Sequence, residues 1–142
     1  MTEEVLVSVK GLQMMEPEQE EEVEVITGGK YLEKNGTHYI TYEEMMEGLS
    51  GATQNLVKLH GNVMEVTKKG AVNVHMCFEK DKTTTSAYET PYGELLVGIE
   101  TTDVNIIREE DVINATVNYA LAINYEHLAD CTLRMNIRSK RQ

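Results

Sequence analysis

The chain has 142 residues, enough for one domain over residues 1–142, and carries 24 acidic against 13 basic side chains, a net charge of −11. This charge argues against binding to nucleic acid or to an anionic membrane surface, because both attract basic patches. The start, Met1-Thr-Glu-Glu, lacks the features of an export signal, and no apolar run is long enough to span a bilayer. We therefore expect a cytoplasmic protein.

The first third of the chain combines strand patterns with most of the acidic excess. Alternation predicts a strand over residues 5–9, and the glutamates between positions 16 and 22 predict a solvated loop or edge strand. Further on, Gly28-Gly29 is expected to form a bulge or a sharp bend. Asn35-Gly36 between two strand-like runs is typical of a type I′ hairpin turn, with a return strand over residues 37–42.

Short polar turns separate the strands in the middle of the chain. A short helical segment is predicted over residues 43–49, and Lys68-Lys69-Gly70 is predicted to be a turn. Residues 106–111 are predicted to form a connection with one helical turn at most. The strands predicted between these segments cover residues 53–59, 63–67, 72–78, 83–90 and 94–102.

The longest alternation in the chain runs over residues 112–125, and a final strand is predicted over residues 131–137. A helix would scatter the apolar set around its circumference, whereas a strand gathers it on one face. At about 3.4 Å per residue this strand would be about 44 Å long, so it must bend or wrap. Its apolar face would carry Ile113, Ala115, Val117, Tyr119, Leu121, Ile123 and Tyr125. The opposite face has no charge, which is typical of a covered surface and makes a homodimer possible.

These patterns together predict an all-β protein of about 8–10 strands. Short connections favour antiparallel pairing between consecutive strands, because parallel pairing needs long crossovers. A meander of that many strands must close or fold over to hide its edges. The long strands favour an up-and-down meander closed into a barrel, with a sandwich as the alternative.

Three stretches of the chain are similar to a known family. They are Tyr39-Ile-Thr-Tyr-Glu43, Lys68-Lys-Gly-Ala-Val72 leading to Phe78, and Tyr88-Glu-Thr-Pro-Tyr-Gly93. Their order and spacing resemble the bacterial YwiB-like family of unknown function over approximately residues 3–138. The resemblance implies a calycin-like (lipocalin-like) barrel in the cytoplasm, and it implies no activity. In the middle stretch this chain has two lysines where the family is expected to have an arginine near the glycine.

No motif for phosphate binding, for a serine nucleophile or for a zinc site with paired cysteines is present in the chain. His75 and Cys77 alternate onto one face of a predicted strand, opposite the apolar Val72, Val74, Met76 and Phe78. That face is expected to be the outer one. Packing therefore accounts for the pair better than metal binding or a cysteine nucleophile does. Cys77 and Cys131 are expected to be reduced, and no cofactor or metal is expected.

Tyrosine supplies nearly all the aromatic side chains, since the chain has seven tyrosines, one phenylalanine and no tryptophan. Phenol rings inside a barrel can stack on a ligand while their hydroxyls orient its polar end. Tyr119 lies on the apolar face of the longest strand, and Tyr42 shares a face with titratable groups. The candidate ligand-binding residues are His38, Tyr42, Glu44, Tyr88 and Tyr119, with plain packing as the alternative for all of them.

The sequence leaves three functions open. The first is a non-catalytic binding module for a small apolar or amphipathic ligand. The second is a solid-cored interaction protein that uses its acidic surface to meet a basic partner. The third is a hydrolase-type enzyme in which His38 and Glu44 act as an acid–base pair. We expect the binding module, and we assign no catalytic residue.

Overall fold

The computed structural model describes residues 1–11, 24–45 and 51–140, and all of its strands belong to one antiparallel sheet. The strands are β1 (Glu4–Lys10), β2 (Glu24–Lys34), β3 (Thr37–Met45), β4 (Ala52–His60), β5 (Val63–Gly70), β6 (Val74–Phe78), β7 (Lys82–Thr90), β8 (Gly93–Arg108), β9 (Val112–Ile123) and β10 (Glu126–Ser139).

The order of the strands in the sheet is β6-β5-β4-β3-β2-β1-β10-β9-β8-β7, so strands that follow one another in sequence are neighbours, except β6 and β7 at the two ends of the order. The first and last strands meet through six register pairs between β1 and β10, from Val5–Ser139 to Lys10–Arg134. At the two ends of the order, β6 and β7 are joined through Asn73 and Glu89, whose backbones exchange two hydrogen bonds of 2.8 Å. The sheet is therefore a nearly closed barrel, and the predicted all-β up-and-down meander is confirmed.

Alternate residues of each strand point into the barrel. On β6, Val74, Met76 and Phe78 are buried whereas His75 is exposed, as the alternation predicts. On β9, Ile113 to Leu121 follow the same rule, so the apolar face of the longest alternation is the inner one. Among the described residues, twenty-five buried side chains that are mostly apolar line the interior and form one cluster. Since burial of apolar area is the dominant favourable term in folding, this cluster is what holds the barrel together.

The Asn35-Gly36 hairpin is confirmed between β2 and β3, with positive φ values of 53° and 81°. Of the bulge or sharp bend expected at Gly28-Gly29, the bulge is wrong, because β1 and β2 pair through both glycines without a shift in register. Gly29 is needed for another reason: a Cβ atom there would lie 2.6 Å from the carbonyl oxygen of Thr41. The glycine lets two backbones approach closely.

The predicted connection at 106–111 is wrong in its first half, because β8 continues to Arg108. A register shift between Thr101 and Asp103 moves the inner face from odd to even positions, so Val104 points inward after Thr101. Such a bulge interrupts the alternation that sequence analysis follows. The structure also places Tyr125 in the β9–β10 turn with a φ of 68°, not on the inner face of the strand.

Two more local predictions change. The predicted turn at Lys68-Lys69-Gly70 is the end of β5, which pairs with β4 as far as Gly70. The predicted helical segment at 43–49 begins as strand, since β3 extends to Met45. The rest of that segment and the glutamates at 16–22 lie outside the described residues.

Candidate functional site

Polar side chains lie side by side on the inner face of β3, β4 and β5. Tyr42 is directly opposite Asn55, and Asn55 is directly opposite Lys68, so the three form one row across the sheet. Glu44 is two residues further along β3 on the same face. Tyr88 of β7 is buried, and the charge of Glu44 contributes to raising the pKa of its hydroxyl, so we include it in what we call the polar cluster: Tyr42, Glu44, Asn55, Lys68 and Tyr88.

Hydrogen bonds connect three members of the polar cluster into a closed ring. The Nζ of Lys68 donates to Oε1 of Glu44 at 2.8 Å and to Oδ1 of Asn55 at 2.7 Å. The Nδ2 of Asn55 donates to the same Oε1 of Glu44 at 3.2 Å. Asn55 thus uses both ends of its amide, and the lysine and the carboxylate neutralise each other.

The charges of the polar cluster are withdrawn from water to different extents. Lys68 is 3% exposed, whereas the side chain of Glu44 is 19% exposed. An unpaired buried charge is very costly, so the pairing and the added hydrogen bonds are required for Lys68 to lie inside the barrel at all. Of the two charged members of the cluster, Glu44 is the one that reaches solvent.

Both tyrosines of the polar cluster are more than nine-tenths buried, at 5% exposure for Tyr42 and 1% for Tyr88. Burial raises the pKa of each hydroxyl above its usual value, and the negative charge of Glu44 raises it further. No hydrogen bond joins either hydroxyl to another group within the described parts of the chain. Among the described residues only Oγ1 of Thr101 is both buried and without a partner, so the two phenol oxygens keep contact with solvent although their rings are buried. Their capacity to donate and accept is therefore open to a ligand.

His38 faces the interior from the opposite end of β3. Its Nδ1 lies 2.6 Å from the hydroxyl of Tyr31, and its Nε2 lies 3.6 Å from Oε2 of Glu33. Burial lowers the pKa of His38 below its ordinary value, although the charge of Glu33 acts in the other direction. The neutral form allows one consistent arrangement, in which the Tyr31 hydroxyl donates to Nδ1 and the Nε2 hydrogen points to Glu33.

Tyr119 is buried on β9 and is separate from the polar cluster. Its ring centroid lies 5.0 Å from that of Phe78 on β6, a strand that is not its neighbour in the sheet. Its hydroxyl donates to the carbonyl oxygen of Gly11 at 3.4 Å, and burial raises its pKa. The Tyr119–Phe78 contact joins two walls of the barrel, so side chains fill the interior at this level.

The structure therefore brings together three of the five predicted residues, Tyr42, Glu44 and Tyr88, and leaves His38 and Tyr119 elsewhere. Lys68 and Asn55 were not predicted as site residues from the sequence. The missed signal is the parity of the strands: Met64 and Val66 on β5 place Lys68 on the inner face once the strand is extended to residue 70. Because Lys68-Lys69-Gly70 has the composition of a turn, that extension was not predicted.

His75 and Cys77, which the sequence places on one face of a strand, lie on the outer face of β6. His75 is exposed, with Nδ1 at 2.8 Å from Oγ1 of Thr67 and Nε2 at 3.4 Å from Glu65. His60 lies 3.0 Å from the second oxygen of that carboxylate, so Glu65 is held by two imidazoles. Cys77 and Cys131 are free thiols. Within residues 1–11, 24–45 and 51–140, no group of three or more His, Cys, Asp or Glu side chains could hold a metal ion.

Grooves mark the outer surface of the barrel. One of about 270 Å³ lies on β7, β8 and β9 and is lined by small and apolar residues that include Leu96, Gly98, Ala120, Ala122 and Tyr125. It overlaps the uncharged outer face of β9 at Ala120 and Ala122. Self-association through this face stays a prediction. A second cavity, of about 660 Å³, lies beside Tyr31 and Glu33 at the N-terminal segment.

Residues 7–135 match a protein family described as "Domain of unknown function (DUF1934)". The barrel is similar to the crystal structure of the ywiB protein from Bacillus subtilis, with a TM-score of 0.80 and 20% sequence identity. That likeness covers 97% of this chain and 92% of the other, and at this identity it concerns the fold. No curated protein matches the chain. Among the described residues, no helix is both long and apolar enough to cross a membrane.

Proposed function

The chain belongs to the DUF1934 family of domains of unknown function, in agreement with the resemblance found in the sequence, and we propose that it is a cytoplasmic, non-catalytic binding module. Its ligand is small and partly apolar, and the polar cluster holds the polar end of that ligand. The calycin-like character of the barrel belongs to the same proposal, since calycin barrels hold single small molecules inside or at their mouth.

One observation carries the proposal: two tyrosines with buried rings, whose hydroxyls have no protein partner among the described residues and keep contact with solvent, lie close enough to Glu44 to be affected by its charge, next to the Lys68–Glu44 pair. Buried polar groups are normally hydrogen-bonded, and apolar residues of similar volume often give equal or greater stability than a buried ion pair. A polar cluster with unused hydrogen-bonding capacity where an apolar interior reaches solvent is typical of a ligand site. Because Tyr119 and Phe78 fill the interior at another level, the ligand lies towards Glu44.

The hydrolase-type alternative has little support, because its two residues are far apart. His38 and Glu44 face the same side of β3 but are separated by six residues, which is about 20 Å of extended strand. No proton can pass between them directly over that distance. The alternative of an interaction protein with an acidic surface gains no support from the barrel, because the densest run of glutamates, at residues 16–22, lies outside the described ranges.

The test uses protein with ¹³C-labelled tyrosine rings. The labelled protein is titrated with 1-octanol, octanoate and octylammonium while the ring signals are recorded by NMR. Saturable shifts of Tyr42 and Tyr88 with at least one compound are expected, whereas Tyr39 on the outer face of β3 and Tyr125 should not move. Assignments come from Tyr42→Phe and Tyr88→Phe, with Tyr39→Phe as the matched control. Shifts confined to exposed tyrosines, or no saturable shift at all, would overturn the proposal.

A further inference from the structure

The polar cluster carries no net charge, and this bears on which ligand it accepts. Lys68 and Glu44 are its only ionised members, and they pair at 2.8 Å. The tyrosines stay neutral because burial raises their pKa values. A ligand entering the cluster therefore meets a balanced pair of charges and neutral phenols.

The hydrogen-bonding capacity left over is specific. Oε1 of Glu44 already accepts from Lys68 and Asn55, and both ends of the Asn55 amide are occupied. Within the described residues, Oε2 of Glu44 and the hydroxyls of Tyr42 and Tyr88 make no hydrogen bond. The free groups thus include one carboxylate oxygen, which only accepts, two hydroxyls, which donate and accept, and one unused hydrogen each on Nζ of Lys68 and Nδ2 of Asn55, which only donate.

A carboxylate, an ammonium group and a hydroxyl would interact differently with these free groups. A carboxylate could accept from the phenols and from the remaining hydrogen of Lys68, but it would lie beside Glu44, whose charge already pairs with that lysine, and like charges in a poorly solvated site repel strongly. An ammonium group could donate to Oε2 of Glu44, but it would approach the ammonium of Lys68. A hydroxyl donates to Oε2 and accepts from a phenol, and it disturbs neither charge.

We infer that the polar cluster selects a small apolar molecule whose inserted end is a neutral hydroxyl, and that it discriminates against a carboxylate or an ammonium group on the same chain. This inference rests on the proposed function and specifies the ligand class. The ion pair between Lys68 and Glu44 acts as the selectivity element, since its balance of charge determines which head group is accepted.

The test compares affinities of the wild-type protein for 1-octanol, octanoate and octylammonium, which share one alkyl chain. Binding is measured by isothermal titration calorimetry and located by the tyrosine signals. The wild-type protein is expected to bind 1-octanol about tenfold or more tightly than either charged compound, because unfavourable charge juxtaposition in a desolvated site is costly. Octanoate bound as tightly as 1-octanol, or more tightly, would overturn the inference and leave the binding module intact. If none of the three binds at the cluster, the proposed function fails as well.

A charge change should alter the selectivity in a defined direction. Glu44→Gln leaves the Lys68 ammonium without its counter-charge, so octanoate should gain at least about tenfold in affinity relative to 1-octanol. Glu43→Gln is the matched control, because Glu43 is the next residue on β3, lies exposed on the outer face and bonds Gln54. Lys68→Met gives the opposite test and should favour octylammonium. A folded Glu44→Gln or Lys68→Met variant with unchanged selectivity would contradict the role of the pair.

Discussion

Nζ of Lys68 lies 2.8 Å from Oε1 of Glu44 inside the barrel, although 24 residues separate the two along the chain. The contact crosses β4, whose Asn55 bonds both partners. A lysine that is 3% exposed is stabilised in the interior by these two acceptors. The pair is therefore both a feature of stability and the proposed element of ligand selection.

Replacement of Lys68 by methionine should destabilise the fold, because it leaves Glu44 and Asn55 without their donor. We expect a loss of about 3 kcal/mol in the free energy of unfolding, at the low end for a broken buried pair because Glu44 is partly solvated. The measurement is urea unfolding followed by circular dichroism. Lys69→Met is the matched control: Lys69 is the exposed neighbour on β5 and should change stability by less than about 0.5 kcal/mol. Equal effects of the two variants would mean that the buried pair contributes nothing.

Gly29→Ala should destabilise the barrel, whereas Gly28→Ala should not. A Cβ atom at Gly29 would lie 2.6 Å from the Thr41 carbonyl oxygen and 3.1 Å from Cγ2 of Val7, so the β2–β3 backbone would have to shift. We expect a cost of about 1–3 kcal/mol, as for other overpacked sites. At Gly28 nothing lies within 4 Å of an added Cβ, so alanine there should be neutral or slightly stabilising. Thermal unfolding of the two variants gives the comparison, and similar melting temperatures would contradict it.

Tyr125→Gly should stabilise the protein. Tyr125 has a φ of 68° and is 87% exposed, so its side chain gains little from packing while its backbone adopts a conformation that favours glycine. Relief of this strain is expected to contribute about 1 kcal/mol, since asparagine followed by glycine is the preferred pair for a type I′ turn. Tyr125→Ala is the control, because it removes the same side chain and keeps the unfavourable φ. A higher melting temperature for the alanine variant than for the glycine variant would show that the strain is not what matters.

The stability of the barrel should fall as the pH drops below the ordinary pKa of histidine, with His38 as one cause. Burial lowers the pKa of folded His38 below its unfolded value of 6.5, so the unfolded chain takes up the proton first. The stability that neutral His38 contributes is complete above pH 6.5 and is lost as the pH falls through the folded-state pKa.

The check on this pH effect is the melting temperature of the wild-type protein and of His38→Asn between about pH 7.5 and about pH 5.5, a range that brackets the ordinary histidine pKa. Asparagine can still accept a hydrogen bond from Tyr31, yet it does not titrate, so the variant should lose less stability over this range. His127→Asn is the control, because the His127 side chain is 59% exposed and bonds Asp130 at the surface. Parallel curves for wild type and His38→Asn would contradict the assignment.

Alternation and turn composition were sufficient to predict most strands of the barrel. The Asn35-Gly36 turn and the inner face of β6 depend on neighbours in sequence, and both are confirmed. The strand prediction was wrong at residues 106–108 and at Lys68, because the local sequence there is typical of a connection or a turn although the chain is in a strand. A bulge after Thr101 shifts the alternation by one residue, and a lysine pair before a glycine is typical of a turn.

The sequence by itself determined the all-β class, the antiparallel meander and the family to which the chain belongs. It also placed Tyr42, Glu44 and Tyr88 among the candidates, because strand parity is a local property. Only the tertiary structure decided that these three share one cluster with Lys68 and Asn55, while His38 and Tyr119 lie elsewhere. The physical reason is that closure of the sheet sets which strands face one another, and a buried lysine is tolerated only where that closure brings a carboxylate within hydrogen-bonding distance.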